Sequence, residues 1–286
     1  MPFRRLKVGR VEVALGVDEG LAERMRQSFL WKMRYGHDRR SPATTCETDE
    51  RDTVATRIGA VNWYHTIDLG HGIVTPGMFD HRQYLKHYPI PERLDGMRVL
   101  DVATYDGFWA FEFERRGAAE VLAIDVDTFG DLDIPPAVRV ATPPEQLRRK
   151  VGAGFALASE LRQSKVKRMV CSVYDLRPEH IGKVDFVFCG SLLLHLRDPL
   201  RALERIRSVT GSTGVFVETY NPGLPMRCAE YKGGSQRSVW WSWSLDCLHR
   251  IIADAGYSKT EMLDTFALMN IPEKRPIWHA AFRVTS

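Results

Sequence analysis

Residues 98–125, RVLDVATYDGFWAFEFERRGAAEVLAID, constrain the fold of this chain more than any other stretch. A short apolar run, Val99, Leu100, Asp101 and Val102, leads into a turn at Tyr105, Asp106 and Gly107, and apolar residues then recur at helical spacing from Phe108. Gly117 stops that helix, and residues 121–124 form a second apolar strand ending in Asp125. A crossover between parallel strands needs about this much chain, so the unit reads as β-α-β. Asp101 and Asp125 then lie side by side at the carboxyl edge of a parallel sheet, where open α/β sheets bind ligands. The expected fold is α/β, a Rossmann-like, doubly wound and mostly parallel sheet.

The turn argues against a dinucleotide. A pyrophosphate needs bare backbone N–H groups at a helix N-terminus, hence G-x-G-x-x-G after the first strand. Here Ala103, Thr104 and Tyr105 intervene and only Gly107 remains. Two strand-terminal acids suit a ribose or an amino group instead; the plainer reading is a β-α-β unit with no ligand.

With 286 residues the chain suffices for one large α/β domain with an extension. No apolar run approaches membrane-spanning length, and the basic start MPFRRLKVGRVEV lacks an apolar core, so neither a membrane partner nor a signal peptide is expected. Five cysteines, Cys46, Cys171, Cys189, Cys228 and Cys247, include no C-x-x-C pair and read as reduced thiols of a cytoplasmic protein, with no metal. A formal net charge of +4 is too small to argue for nucleic acid.

Two domains are expected: residues 1–95 as an extension, largely helical, and residues 96–286 as the nucleotide-binding domain. In the extension, residues 6–15 look β-like, residues 19–35 carry apolar positions at helical spacing, and residues 36–57 are polar enough to read as a loop. Residues 62–82 gather Trp63, Tyr64, His65 and His71 among glycines, a segment suited to face a ligand; a core-packed loop with hydrogen-bonded histidines is the alternative. Residues 79–88 look helical. Beyond Asp125 a proline-rich irregular stretch precedes a helix at 154–164 and a third strand at 166–174. A fourth strand, VDFVFC, opens into Gly190 and Ser191, a helix follows at 200–209, and GVFVETY forms a fifth strand with Glu218 near its end. Residues 221–244 are an insertion with Trp240, Trp241 and Trp243, expected to wall a substrate pocket because indoles at adjacent positions cannot all face one core. Residues 245–255 form a helix, and residues 262–266 and 277–284 can pair as antiparallel closing strands.

WYHTIDLGHGIVTPG, LDVATYDGFWAFEFERRGA, FCGSLLLHLRDPL and VETY, in this order, resemble the class I S-adenosylmethionine (SAM)-dependent methyltransferases similar to the tRNA wobble-uridine 5-oxyacetic acid enzyme. The resemblance runs from Trp63 to the C-terminus. In the register of that family's first motif stand Asp101, Ala103, Tyr105 and Gly107, two of its three glycines being replaced. It implies SAM across the strand ends: Asp101, Ala103, Tyr105 and Gly107 at the methionine end, Asp125 and Val126 at the ribose, Tyr174 and Asp175 at the adenine, and Cys189, Gly190 and Ser191 near the sulfonium. The tRNA enzyme uses a carboxylated SAM held by a Tyr just before the post-strand-four His and by an upstream basic residue. Here those places hold Leu194 and the uncharged run 58–62, so ordinary SAM is expected, since a carboxylate left unpaired there is costly.

The expected activity is methyl transfer to an oxygen or nitrogen of a small-molecule acceptor, with His195, His65, His71 or Glu218 as general base. Trp63, Tyr64, Trp240, Trp241 and Trp243 are the expected acceptor contacts. Two alternatives stand beside this: a tRNA wobble-uridine (carboxy)methyltransferase, and a SAM-binding protein without transferase activity.

Overall fold

A computed structural model describes residues 4–8, 11–15, 46–233 and 238–286. The chain divides into two compact units, Met1–Arg51 and Asp52–Ser286. In the first, β1 (Arg4–Val8) and β2 (Val11–Leu15) pair as an antiparallel hairpin with Val8 opposite Val11. The helix expected at 19–35 lies outside the described residues.

The second unit is built on a seven-stranded sheet. Its strands follow α1 (Cys46–Gly59), the short hairpin β3 (Asp68–Gly70) and β4 (Ile73–Val74), and a 3-10 turn at His81–His87. Then come β5 (Arg98–Val102), α2 (Phe108–Arg115), β6 (Glu120–Asp125), α3 (Pro136–Ala141), α4 (Pro144–Leu147), α5 (Ala153–Arg162) and β7 (Lys167–Val170). The chain continues through α6 (Pro178–Ile181), β8 (Val184–Gly190), α7 (Pro199–Val209) and β9 (Thr210–Thr219). A hairpin of β10 (Ala229–Tyr231) and β11 (Trp241–Trp243), then α8 (Leu245–Asp254), β12 (Lys259–Asn270) and β13 (Arg275–Thr285) complete it. The strand order is β12-β13-β9-β8-β5-β6-β7, and β13 runs antiparallel to both its neighbours. From β5 the chain winds outward through β6 and β7, then returns to β8 on the other side. The crevice beyond β5 and β8 is thus the point where strand order reverses.

Both sheet faces are covered, which is why the central strands read as continuous apolar runs. Alternation assigns Val99, Phe186, Phe188, Val215 and Val217 to one core, with α2 and residues 58–90. Leu100, Val102, Val187, Cys189 and Phe216 enter the other, against α7 and α8.

Three expectations are corrected here. Residues 46–57, read as loop, belong to α1; in its described part Val54 and Ile58 turn inward, one helical turn apart, so its composition is nearly all solvent-facing. The third strand stops at Val170 rather than near residue 174, because β7 is an edge strand that pairs with β6 only as far as Asp125↔Val170. Inside the proline-rich stretch, α3 and α4 each begin at a proline, where the missing N–H costs nothing. Among the described residues, no helix is long and apolar enough to cross a membrane.

Candidate active site

A cavity of about 520 Å3 opens at the carboxyl ends of β5, β6, β7 and β8, within the range of small-molecule sites. Its wall is built first by the turn after β5. Ala103 and Tyr105 both take left-handed backbone, at φ 60° and 49°. Such strain persists only where surroundings hold it. The Tyr105 N–H donates to Asp125 Oδ2 (2.8 Å), the Thr104 N–H to the Ile124 carbonyl (3.0 Å), and the Gly107 N–H to the Thr104 carbonyl (2.8 Å). Gly107 itself, at φ 93°, does not line the cavity; a Cβ there would stand 2.6 Å from Phe111 and 2.7 Å from Phe155. Gly107→Ala is therefore expected to cost roughly 2–4 kcal/mol, from left-handed strain and overpacking together, as a denaturant midpoint would record.

Asp101, Ala103, Tyr105, Asp125, Val126, Tyr174, Gly190, Ser191, Tyr64, His65 and His195 all line the cavity. Asp101 is buried and its Oδ2 has no hydrogen-bond partner. Burial first, with the nearby Asp125 carboxylate, pushes its carboxyl up to about 7, against the Thr104 hydroxyl and the Ala110 N–H, which favour the charged form. An unpaired carboxylate oxygen facing a buried space is a seat for a cation or a hydrogen-bond donor. Asp125 is pushed up to about 6, again chiefly by burial, although its oxygens accept from Tyr105 and from the Val126 N–H (2.7 Å).

Two histidines face the same space with one ring nitrogen pinned. His65 Nδ1 donates to Asp106 Oδ1, and Asp106 Oδ2 also accepts the backbone N–H of Tyr64 (2.8 Å) and of His65 (2.9 Å). Asp106, wholly buried, thus fixes the imidazole so that Nε2 is the nitrogen left for a ligand. The segment can approach so closely because Gly77 packs on its backbone: a Cβ there would lie 2.1 Å from the His65 carbonyl carbon. His195 Nδ1 bonds the Ser238 carbonyl, and burial lowers the ring's pKa.

Other expected site residues sit elsewhere. His71 is exposed at the β3–β4 turn, at φ 53°. Glu218 is fully buried, and its oxygens accept the N–H groups of Leu192 (3.0 Å) and Leu193 (3.2 Å), so it braces the turn after β8 instead of facing the cleft. Asp175 is exposed beyond the early end of β7, and Cys171, Ser172 and Val173 take the wall position expected of it. Cys189 points into the core. Trp63 is buried with its indole N–H on the Ile58 carbonyl (2.9 Å). Trp241 and Trp243, two apart on β11, share a face that packs into the second core. Trp240 turns the other way, donating to the Asp133 carbonyl beneath the Arg197 guanidinium, so the insertion reaches the cavity through Ser238.

Asp106 and Asp133 are the site residues the sequence reading missed. Asp133 accepts from the Tyr174 hydroxyl and the Arg197 N–H, both at 2.7 Å, tying opposite walls together. Asp106 stood in the Asp-Gly-Phe turn of the stretch that carries the resemblance, with nothing to show its partner; Asp133 had no signal, lying in an irregular stretch.

Three buried carboxyls, Asp101, Asp125 and Glu218 (about 8, raised by burial), titrate above their unfolded values. Below about pH 6.5 they are opposed by His81, His195 and His279, whose imidazoles burial holds neutral; between about pH 6.5 and pH 8 the folded chain holds more protons than the unfolded chain, so stability falls as pH rises through that window. Urea midpoints are expected to be higher near about pH 6.5 than near about pH 8 in the ligand-free protein.

No family model matches the chain. It is 28% identical over 127 residues, 44% of this chain and 37% of that protein, to the tRNA U34 carboxymethyltransferase of Campylobacter hominis. To the enzyme of the same name from Trichodesmium erythraeum it is 30% identical over 127 residues, 42% of this chain and 39% of that protein. The matched segment thus spans less than two fifths of each of these relatives. Among solved structures it is similar to the N-terminal domain of EvdMO1, determined in the presence of SAH and D-fucose, with a TM-score of 0.53 and 16% identity over 86% of this chain and 100% of that one. The strand order with its single reversed strand and this likeness establish a Rossmann-like α/β fold.

Proposed function

We propose that this chain is a SAM-dependent methyltransferase acting on an oxygen or nitrogen of a small molecule. The observation that carries the reading is the unpaired Asp101 oxygen in the cavity at the switch point, with Asp125 beside it. A ligand with an ammonium group and a ribose diol would satisfy both acids. Asp101 would hold the amino group and Asp125 the ribose; the Cys171–Ser172–Val173 wall would meet the base, and Gly190 and Ser191 would flank the sulfonium. When bound, SAM supplies an electrophilic methyl group. The chain's part is to align an acceptor with it and exclude water. His65, its Nδ1 held by Asp106, is the best placed of the candidate bases, because its Nε2 can take a proton from an acceptor hydroxyl or amine. His195 is the second, since its Nδ1 is likewise occupied.

Ordinary SAM is favoured over the carboxylated form. The cavity-lining arginines are committed: Arg197 to Asp133, and Arg139 to the carbonyls of Gly130 and Leu132. Leu194 does not line the cavity. The tRNA reading rests on the two curated relatives and predicts salt-sensitive RNA binding.

The test is native mass spectrometry of freshly purified protein, followed by transfer of labelled methyl from SAM to hydroxyl- and amine-bearing small molecules or to bulk tRNA. Bound SAM or SAH with transfer to a small molecule is the expected result, and His65→Gln should slow that transfer about 100-fold. Bound carboxylated SAM, or transfer to tRNA alone, would overturn the small-molecule reading.

A further inference from the structure

Outside the residues already given roles, one buried group has geometry aimed at the cavity. His279, on β13, is 1% exposed. Its Nδ1 lies 2.9 Å from the carbonyl of Ile277, two residues earlier on the same strand. A carbonyl only accepts, so Nδ1 carries the proton and Nε2 presents a lone pair. That lone pair faces the Ser191 hydroxyl at 3.2 Å. Ser191 sits just past β8 in left-handed backbone, φ 51°, with its N–H on the Val217 carbonyl (2.9 Å), so its position is held from both sides.

The consequence follows from counting protons. Ser191 has one hydroxyl hydrogen, and His279 can only accept it. Toward the cavity, which it lines, Ser191 can therefore only accept, and its oxygen is left with lone pairs there. Burial holds the His279 ring down at about 4, so it stays neutral and the polarity of the pair does not reverse across the physiological range. Phe266 stacks on that ring at 5.6 Å and shields it.

We infer that the His279–Ser191 pair is a positioning device of fixed polarity, which makes this end of the cavity a hydrogen-bond acceptor and selects an acceptor substrate bearing a hydroxyl, or an N–H, over a carboxylate. The inference rests on the proposed methyltransferase reading and narrows its substrate class. His279 touches neither cofactor nor substrate; it acts through Ser191. A carboxylate against the same oxygen would meet lone pair with lone pair, a mismatch that costs the ligand its hydration without replacement.

Two measurements test it. Nitrogen-15 NMR of histidine-labelled protein without ligand should show His279 in the Nδ1–H tautomer, unchanged between about pH 5 and pH 8. On SAH-loaded protein, phenol should bind about tenfold more tightly than anisole, which has the ring and no donor, and benzoate should bind more weakly still. Ser191→Ala, and separately His279→Phe, should each reduce the phenol-over-anisole ratio to less than about twofold. Two variants guard against one failing to fold. An Nε2–H tautomer, equal binding of phenol and anisole, or a preference that survives in both variants would overturn the inference. Failure of SAH to bind would instead remove the cofactor reading, while the tautomer, measured on ligand-free protein, still decides the polarity of the pair.

Discussion

Asp101→Asn is expected to abolish tight cofactor binding while leaving the ligand-free protein as stable as before, or more so. The carboxylate is buried, its Oδ2 is unpartnered, and its pKa is raised to about 7 because burial penalises the charge. Without ligand, the native chain therefore bears that charge at a cost above pH 7, and an uncharged isostere relieves it. With ligand, the ammonium of SAM or SAH is the missing partner. Removing the negative charge leaves a buried cation uncompensated, a loss of about 3–5 kcal/mol, or roughly 100- to 4,000-fold in Kd. The same linkage gives a pH signature. Binding a cation favours the ionised acid, so affinity should rise with pH through about 7, with release of up to one proton. Calorimetry in buffers of different ionisation enthalpy would read that proton directly. Affinity independent of pH, or an Asn variant that binds as well as the parent, would place the ammonium elsewhere.

Asp106→Ala should give the largest loss of stability. Asp106 accepts the Tyr64 and His65 backbone N–H groups and the His65 ring, and both Asp106 and His65 are buried. Leaving buried donors unpaired costs about 1–3 kcal/mol each, so a total of about 3–5 kcal/mol is expected. For a unit of this size that corresponds to a fall in Tm of roughly 10 °C. Asp106→Asn keeps one acceptor oxygen and the shape of the side chain. It should recover much of the stability yet still impair catalysis, because an amide cannot hold the imidazole as a carboxylate does. Separating the two effects needs a thermal melt and a single-turnover rate on the same preparations. A stable Ala variant would mean that residues 62–82 are held by their aromatic contacts rather than by this carboxylate.

Much of the frame was written in local pattern. Continuous apolar runs ending in acids predicted buried parallel strands, and the burial of both sheet faces is the reason those runs are continuous. Asp101 and Asp125 were legible as ligand-facing because strand ends converge on one edge whatever the loops do. Leu203, Ile206, Leu248 and Ile252 announced α7 and α8 in the same way, through helical spacing of core residues. Where the pattern misled, a single residue's surroundings decided. Glu218 looks like Asp101 in sequence, an acid near a strand end, but Leu192 and Leu193 supply two N–H groups that turn it into a brace. Asp175 lost its place because the edge strand β7 ended early.

The local chain by itself determined the β-α-β core and the acids at its edge, since each depends on side-chain periodicity over a few residues. Only the tertiary structure decided which polar groups serve the cavity. Asp106 reaches His65, and His279 reaches Ser191, across 41 and 88 positions of sequence. Hydrogen-bond polarity and desolvation are properties of such assembled neighbours, and no spacing along the chain encodes them.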